Sequence, residues 1–256
     1  MDVSKGSAII TGGASGLGEA CARRLAAAGA KCVILDMNEE TGKKVASELG
    51  GEFVKADVAD PDQVQVAVDT AVGLAPLRAL VNGAGIGAAG RTVDRKGEPF
   101  KLENFEFVLR VNLVGTFNCL RLAAAMMAKM EPLDAQGQRG AIVNMASVAA
   151  FDGQIGQCAY SASKGGVVGM TLPIARDLAA IGIRVNTVAP GLFDTPIYGT
   201  GEASEAFKAK LGESVLFPKR LGYPDELASM VMELLTNDYM NGETVRADGG
   251  VRLPPK

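Results

Sequence analysis

Ser7-Ala8-Ile9-Ile10-Thr11-Gly12-Gly13-Ala14-Ser15-Gly16-Leu17-Gly18 is the stretch that decides the fold. Its first five residues form a short, mostly apolar run that ends at glycine, the pattern of a buried strand. From Glu19 to Ala28 the residues favour helix, and the run stops at Gly29. Strand, glycine turn and helix in that order make a phosphate cradle. Backbone without a Cβ can approach a pyrophosphate closely, and the start of a helix offers N–H groups that no helical carbonyl satisfies. Gly12, Ser15, Gly16, Leu17 and Gly18 are therefore expected at a bound dinucleotide. A glycine-rich turn alone is only a tight connection, but the next strand, Lys31-Cys32-Val33-Ile34-Leu35, ends at Asp36, eighteen residues after Gly18. That is close to the spacing of about twenty at which a carboxylate grips the ribose hydroxyls. A carboxylate there repels a 2′-phosphate, and Ala14, Ser15 and Met37 supply no basic partner for one, so NAD is expected rather than NADP. Asp36 is also placed to cap the helix that starts at Glu39.

Outward from this unit, short apolar runs continue to alternate with helical patterns. Further strands are predicted at Glu52–Ala56, Leu77–Val81, Gly140–Ala146, Ile183–Val188 and Glu243–Gly250, and a long helix over Phe105–Met130. Residues 86–104 have no period and read as a loop bordering the substrate, in which Arg91, Arg95, Lys96 and Lys101 could meet phosphates or simply be solvated. Residues 192–220, with Phe207, Leu211, Val215, Leu216 and Phe217 among glycines and small residues, read as a lid. With 256 residues, 48% hydrophobic and 21% charged, one domain over residues 1–256 can bury a sizeable core.

The chemistry concentrates in Ser147, Tyr160 thirteen positions later, and Lys164 four beyond that. Four residues of helix put the phenol and the ammonium on one face. At about 4 Å and an effective dielectric of ~20, a lysine charge is worth roughly 4 kcal/mol, or about three pKa units, which would bring a phenol of pKa ~10 toward neutrality. Ser147 is expected at the C-terminal end of a strand, where α/β sheets place their reacting groups.

Composition removes other chemistries. There is no histidine, so a Ser-His-Asp hydrolase and a histidine general base are excluded, and no G-x-S-x-G elbow occurs. Cys21, Cys32, Cys119 and Cys158 are scattered without a C-x-x-C pair, so they read as reduced packing residues, with neither a metal site nor a disulfide framework indicated. Lys and Arg total 26 against 29 Asp and Glu, a net charge of -3 without a basic block, so no nucleic-acid partner is expected. No membrane span or signal peptide is read in the sequence, and a cytoplasmic location is expected.

The G-x-x-x-G-x-G turn, Asn82-Gly83-Ala84-Gly85, Asn112, Ser147, Tyr160-x-x-x-Lys164 and Pro190-Gly191 together resemble the short-chain dehydrogenase/reductase family from end to end. Gly137-Gln-Arg-Gly140, Ala146-Ser-Val-Ala-Ala-Phe151, Tyr160 to Gly166 and Gly169 to Leu178 are similar to the branch whose members oxidise 3-hydroxyacyl-CoA esters and hydroxysteroids. The resemblance implies a catalytic set of Asn112, Ser147, Tyr160 and Lys164, in which Asn112 holds a water that links to the lysine. It implies cofactor contacts from Asp57 at the adenine edge, Val58, Asn82, Ala84, Gly85, Tyr160, Lys164, Pro190, Gly191 and Thr195. Asp57 could instead cap the helix that begins near Pro61. Gln157, with Ser147 and Tyr160, is implied at the substrate. Gly83 stands where the family often has a second asparagine.

The architecture expected is α/β: one doubly wound Rossmann sheet of seven parallel strands in the order 3-2-1-4-5-6-7, with helices on both faces. The activity implied is NAD-dependent interconversion of a secondary alcohol and a ketone, foremost 3-hydroxyacyl-CoA and 3-oxoacyl-CoA with a short or branched chain, in a homotetramer. A hydroxysteroid or other secondary-alcohol dehydrogenase, an NADPH-using 3-oxoacyl carrier-protein reductase, and a dinucleotide-binding scaffold are the alternatives.

Overall fold

The computed structural model describes residues 1–199 and 201–255. Thr200, inside the expected lid, and Lys256, at the end of the expected domain, lie outside the described residues.

Seven strands, β1 (Ser7–Thr11), β2 (Lys31–Asp36), β3 (Glu52–Lys55), β4 (Leu77–Asn82), β5 (Gly140–Met145), β6 (Ile183–Pro190) and β7 (Thr244–Ala247), form one sheet in the order β3-β2-β1-β4-β5-β6-β7. Every pairing is parallel. Such a sheet is covered on both faces, which is why β1, β4, β5 and β6 are buried along their whole length while β3 and β7 at the edges are not. The long helices are α1 (Gly16–Ala27), α2 (Glu39–Leu49), α3 (Pro61–Leu74), α4 (Leu102–Leu109), α5 (Gly115–Met127), α6 (Cys158–Ala179), α7 (Glu202–Gly212) and α8 (Pro224–Thr236).

Successive residues of a strand point to opposite faces, and the core divides accordingly. On one face Ile10, Ile34, Val81 and Val143 pack with Leu25 of α1, Val45 of α2 and Leu227 and Leu234 of α8. On the other, Ile9, Leu35, Leu80 and Ile142 pack with Val68 of α3, Leu120 and Met127 of α5 and Ile174 of α6.

The caps differ from expectation in an informative way. Helix α2 is capped by Asn38, whose side chain accepts from Thr41 N–H at 3.2 Å, and α3 by Asp60, which accepts from Asp62 and Gln63 N–H at 2.9 and 3.1 Å. Neither Asp36 nor Asp57 is a cap, because each lies too far before its helix, and both carboxylates stay at the strand ends.

The long helix begins earlier and ends earlier than predicted, running from Leu102 to Met127. It passes through a π-helical turn, Arg110–Val114, between α4 and α5. By length and composition this helix could cross a membrane, contrary to the sequence reading; half of its apolar window is instead buried inside the protein. The irregular segment before it therefore stops at Lys101, and it contains a small antiparallel bridge between Val93 and Pro99.

Candidate active site

The C-terminal ends of the strands open into a cleft of about 1020 Å³. One end is the glycine turn. Gly12 and Gly16 have φ of 66° and 55°, a region that side chains rarely adopt. A Cβ on Gly18 would lie 2.1 Å from the Gly12 carbonyl, and one on Gly12 would lie 2.8 Å from Ala84 N, so the turn can close only with bare backbone. Ser15 precedes α1 but makes no side-chain cap, so the first N–H groups of α1 are left to the cleft. Gly12, Ser15, Gly16, Leu17 and Gly18 all line it.

Asp36 lies at the end of β2. Its two oxygens accept from Ala14 N–H at 3.1 Å and Asn38 N–H at 2.9 Å, which fixes the carboxylate against the glycine turn. Asp57 and Val58 line the same end. Arg110, from the π turn, donates to Asp57, and Ala59 N–H donates to its other oxygen at 2.9 Å. Asp57 is held well toward the ionised side: burial opposes this, and the Ala59 and Arg110 bonds outweigh it.

Asn82 departs from expectation. It is 2% exposed and lies outside the cleft wall, with its amide donating to Asn144 Oδ1 at 2.9 Å and to the Thr116 carbonyl. It joins β4 to β5 and α5, while Gly83, Ala84 and Gly85 form the wall beyond it. Glycine at 83 also has a reason, since a Cβ there would stand 2.8 Å from the Thr11 carbonyl.

The other end of the cleft gathers Ser147, Tyr160 and Lys164. Ser147 follows β5, and its Oγ accepts from Ala149 N–H at 3.1 Å, leaving its proton to be donated into the cleft. Tyr160 is in the first turn of α6. Lys164, one turn on, is buried, lies 5.9 Å from the centre of the Tyr160 ring and donates to the Met145 carbonyl at 2.8 Å.

The expected direction of the phenol's pKa is overturned. Burial raises Tyr160 above its ordinary range, with the Ser147 hydroxyl offsetting this only in part, and burial lowers Lys164 to about 8. The attraction between the two groups is outweighed by what it costs to take both from water.

Asn112 braces the site through its side chain. It sits in the π turn, fully buried, with Nδ2 donating to the Ile86 carbonyl (2.9 Å) and Ser163 Oγ (3.1 Å) and Oδ1 accepting from Ile86 N–H (2.8 Å). Its side chain is committed to fixing the wall at Ile86 and, through Ser163, the Tyr160 turn of α6. A Cβ on Gly85 would lie 3.2 Å from Asn112 Oδ1 and 3.4 Å from Lys164 Nζ, so this glycine leaves room for both and keeps Lys164 within reach of the cleft.

Pro190 at the end of β6, with Gly191 and Thr195 beyond it, completes the wall, Thr195 lying opposite Gly16. Gln157 lines it too, its side-chain oxygen accepting from Gln154 N–H at 3.0 Å. Arg91, Arg95, Lys96 and Lys101 are exposed and outside the wall.

Gln154 and Leu253 line the cleft without a sequence signal, and Tyr198 lines it from within the expected lid. Tyr198 lies in the loop before α7, 6.0 Å edge-on from Phe207, and its hydroxyl is raised by burial and then by the neighbouring Tyr160. Cys21, Cys32 and Cys119 are buried as expected, but Cys158, at the start of α6, is exposed.

A seven-stranded sheet of this order with Ser, Tyr and Lys at the ends of β5 and α6 defines a class. A family model described as short chain dehydrogenase matches residues 7–206, and the chain belongs to that family and is an oxidoreductase. It is similar over nearly its whole length to human 3-hydroxyacyl-CoA dehydrogenase type-2, at 52% identity over 252 residues covering 97% of this chain and 95% of that one. The Drosophila melanogaster protein of the same name is 49% identical over 251 residues, 96% of this chain and 97% of that one. The crystal structure of 3-hydroxyacyl-CoA dehydrogenase type-2 from Mycobacterium avium matches with a TM-score of 0.94 at 47% identity, covering 100% of this chain and 99% of that one.

Proposed function

We propose that this chain is an NAD-dependent dehydrogenase interconverting a 3-hydroxyacyl-CoA and the corresponding 3-oxoacyl-CoA, with a short or branched acyl chain. The observation that carries the reading is that one cleft has the glycine turn and Asp36 at one end and Ser147, Tyr160 and Lys164 at the other. The names of the similar proteins support the substrate class.

The residues present fit a dinucleotide. Gly12 and Gly18 leave the space that a Cβ would fill, and the start of α1 offers N–H groups to a pyrophosphate. Among the described residues Asp36, Asp57 and Lys164 are the only charged ones lining the cleft, and none of these is a cation near Asp36, which supports NAD over NADP. When bound, NAD supplies the hydride acceptor.

The chain's own groups handle the proton. Tyr160, as phenolate, takes it from the substrate hydroxyl, and in the reverse direction the phenol returns it. Ser147 donates to the same oxygen, because its own Oγ is already held by Ala149 N–H. Lys164, protonated below about pH 8, places a positive charge beside the ring and so favours the phenolate. Exposed Arg91, Arg95, Lys96 and Lys101 lie in the segment that continues from the wall at Ile86 to Ala89, where their charges would be available to a CoA phosphate.

Self-association into a homotetramer belongs to this reading: apolar side chains left exposed along α4 to α6, among them Leu102, Val114, Phe117 and Leu172, would be covered by it, and light scattering would test it. The test of function is steady-state kinetics with NAD and NADP against short, branched and long 3-hydroxyacyl-CoA esters, with a hydroxysteroid included. Preference for NAD and for a CoA ester is expected; a preference for the steroid would overturn the substrate assignment.

A further inference from the structure

Residues 251–255 have neither helix nor strand, yet they are held at both ends. Arg246, on β7, donates to Asp248 and Asp152 at 2.7 Å each and to the Val251 carbonyl at 2.9 Å, and its guanidinium lies 5.3 Å from the centre of the Phe151 ring. Val251 is fully buried. The base of the segment is thereby fixed to the turn that follows Ser147.

At the far end the Pro255 carbonyl accepts from Ile155 N–H at 3.0 Å, and the Pro254 carbonyl accepts from Gln154 Nε2 at 3.1 Å. Two consecutive prolines restrict the backbone, so little entropy opposes this seating. Between the two anchors Arg252 is exposed and Leu253 is half-buried, lining the cleft with Gln154 and Gln157. The segment thus closes over the turn that connects Ser147 to Tyr160, and it presents an aliphatic side chain there.

We propose that Val251–Pro255 is a wall of the substrate pocket and that Leu253 sets how long an acyl chain the enzyme accepts. This rests on the 3-hydroxyacyl-CoA reading above. Leu253 and, from the turn before α7, Ile197 and Tyr198 line the same cleft as Tyr160 and Ser147, so an acyl chain extending from the reacting carbon has these apolar side chains to meet. Burying each further methylene favours binding about fourfold where there is room, and a filled pocket reverses that gain. The side chain at position 253 therefore acts on chain length, while the dinucleotide end of the cleft, formed by other elements, is unaffected.

The experiment measures kcat/KM for 3-hydroxybutyryl-CoA and 3-hydroxyoctanoyl-CoA in the full-length protein and in Leu253→Ala and Leu253→Trp, together with the KM for NAD. The ratio of the eight-carbon to the four-carbon ester is expected to rise about tenfold or more in Leu253→Ala and to fall by as much in Leu253→Trp, with the KM for NAD unchanged. Because Leu253 is in a surface segment, neither substitution threatens the core. Ratios within twofold of the parent in both variants overturn the role of Leu253 while leaving the activity in place. Turnover of neither ester by the parent protein overturns the substrate reading and the wall with it.

Discussion

Lys164 Nζ donates to the carbonyl of Met145, the last residue of β5, at 2.8 Å. That bond ties the strand that delivers Ser147 to the helix that delivers Tyr160. It also holds an ammonium where burial opposes its charge.

The fall of Lys164 from 10.5 to about 8 corresponds to about 3 kcal/mol against the charged form. The sign follows from proton binding: between about pH 8 and 10.5 the unfolded chain keeps the proton and the folded chain does not, so stability rises with pH across that window. Lys164→Met should therefore raise the thermal midpoint at pH 7 while abolishing turnover, the lost bond to Met145 offsetting about 1 kcal/mol. Differential scanning calorimetry should show the advantage of the variant shrinking from pH 8 to 10.5; a less stable variant at pH 7 would refute this.

Tyr160→Phe should bind NAD as tightly as the parent, because the glycine turn and Asp36 are untouched, but lose roughly 10²–10⁴ in turnover. Since burial raises the phenol, alcohol oxidation, which needs the phenolate, should become faster as pH rises above neutrality. Ketone reduction, which needs the protonated phenol, should hold steady and fall only at more alkaline pH. Profiles of kcat/KM in both directions check this, and an oxidation rate that is flat from pH 7 to 10 would remove Tyr160 as the base.

Asp36→Ala should weaken NAD by about 10- to 100-fold, the worth of hydrogen bonds to a charged group. The same carboxylate holds Ala14 N–H, so some loss is shared by any dinucleotide. The discriminating quantity is the ratio of KM for NADP to that for NAD, which should fall toward one; an unchanged ratio would place selectivity elsewhere.

Of the four thiols, Cys158 alone should react quickly with a disulfide reagent at pH 8. Burial pushes Cys21, Cys32 and Cys119 up to about 12, whereas Cys158 is exposed. Titration of the native protein should give one fast equivalent, with the other three appearing only after denaturation. More than one fast thiol would show that the core opens.

Local pattern and spacing by themselves determined the strand-turn-helix at Ser7–Ala28, the acid at the end of β2 and the placing of Ser147, Tyr160 and Lys164 along the chain. Each is a matter of one element or of a fixed helical interval. Only the tertiary structure decided that Asn82 is a buried link to Asn144, that Asn112 braces Ile86 and Ser163, that Arg110 reaches Asp57, and that Leu253 returns to the cleft from the far end of the sequence. It also decided the direction of the Tyr160 shift. Desolvation depends on how much protein surrounds a group, and that is set by contacts between segments far apart in the chain, which no spacing along it records.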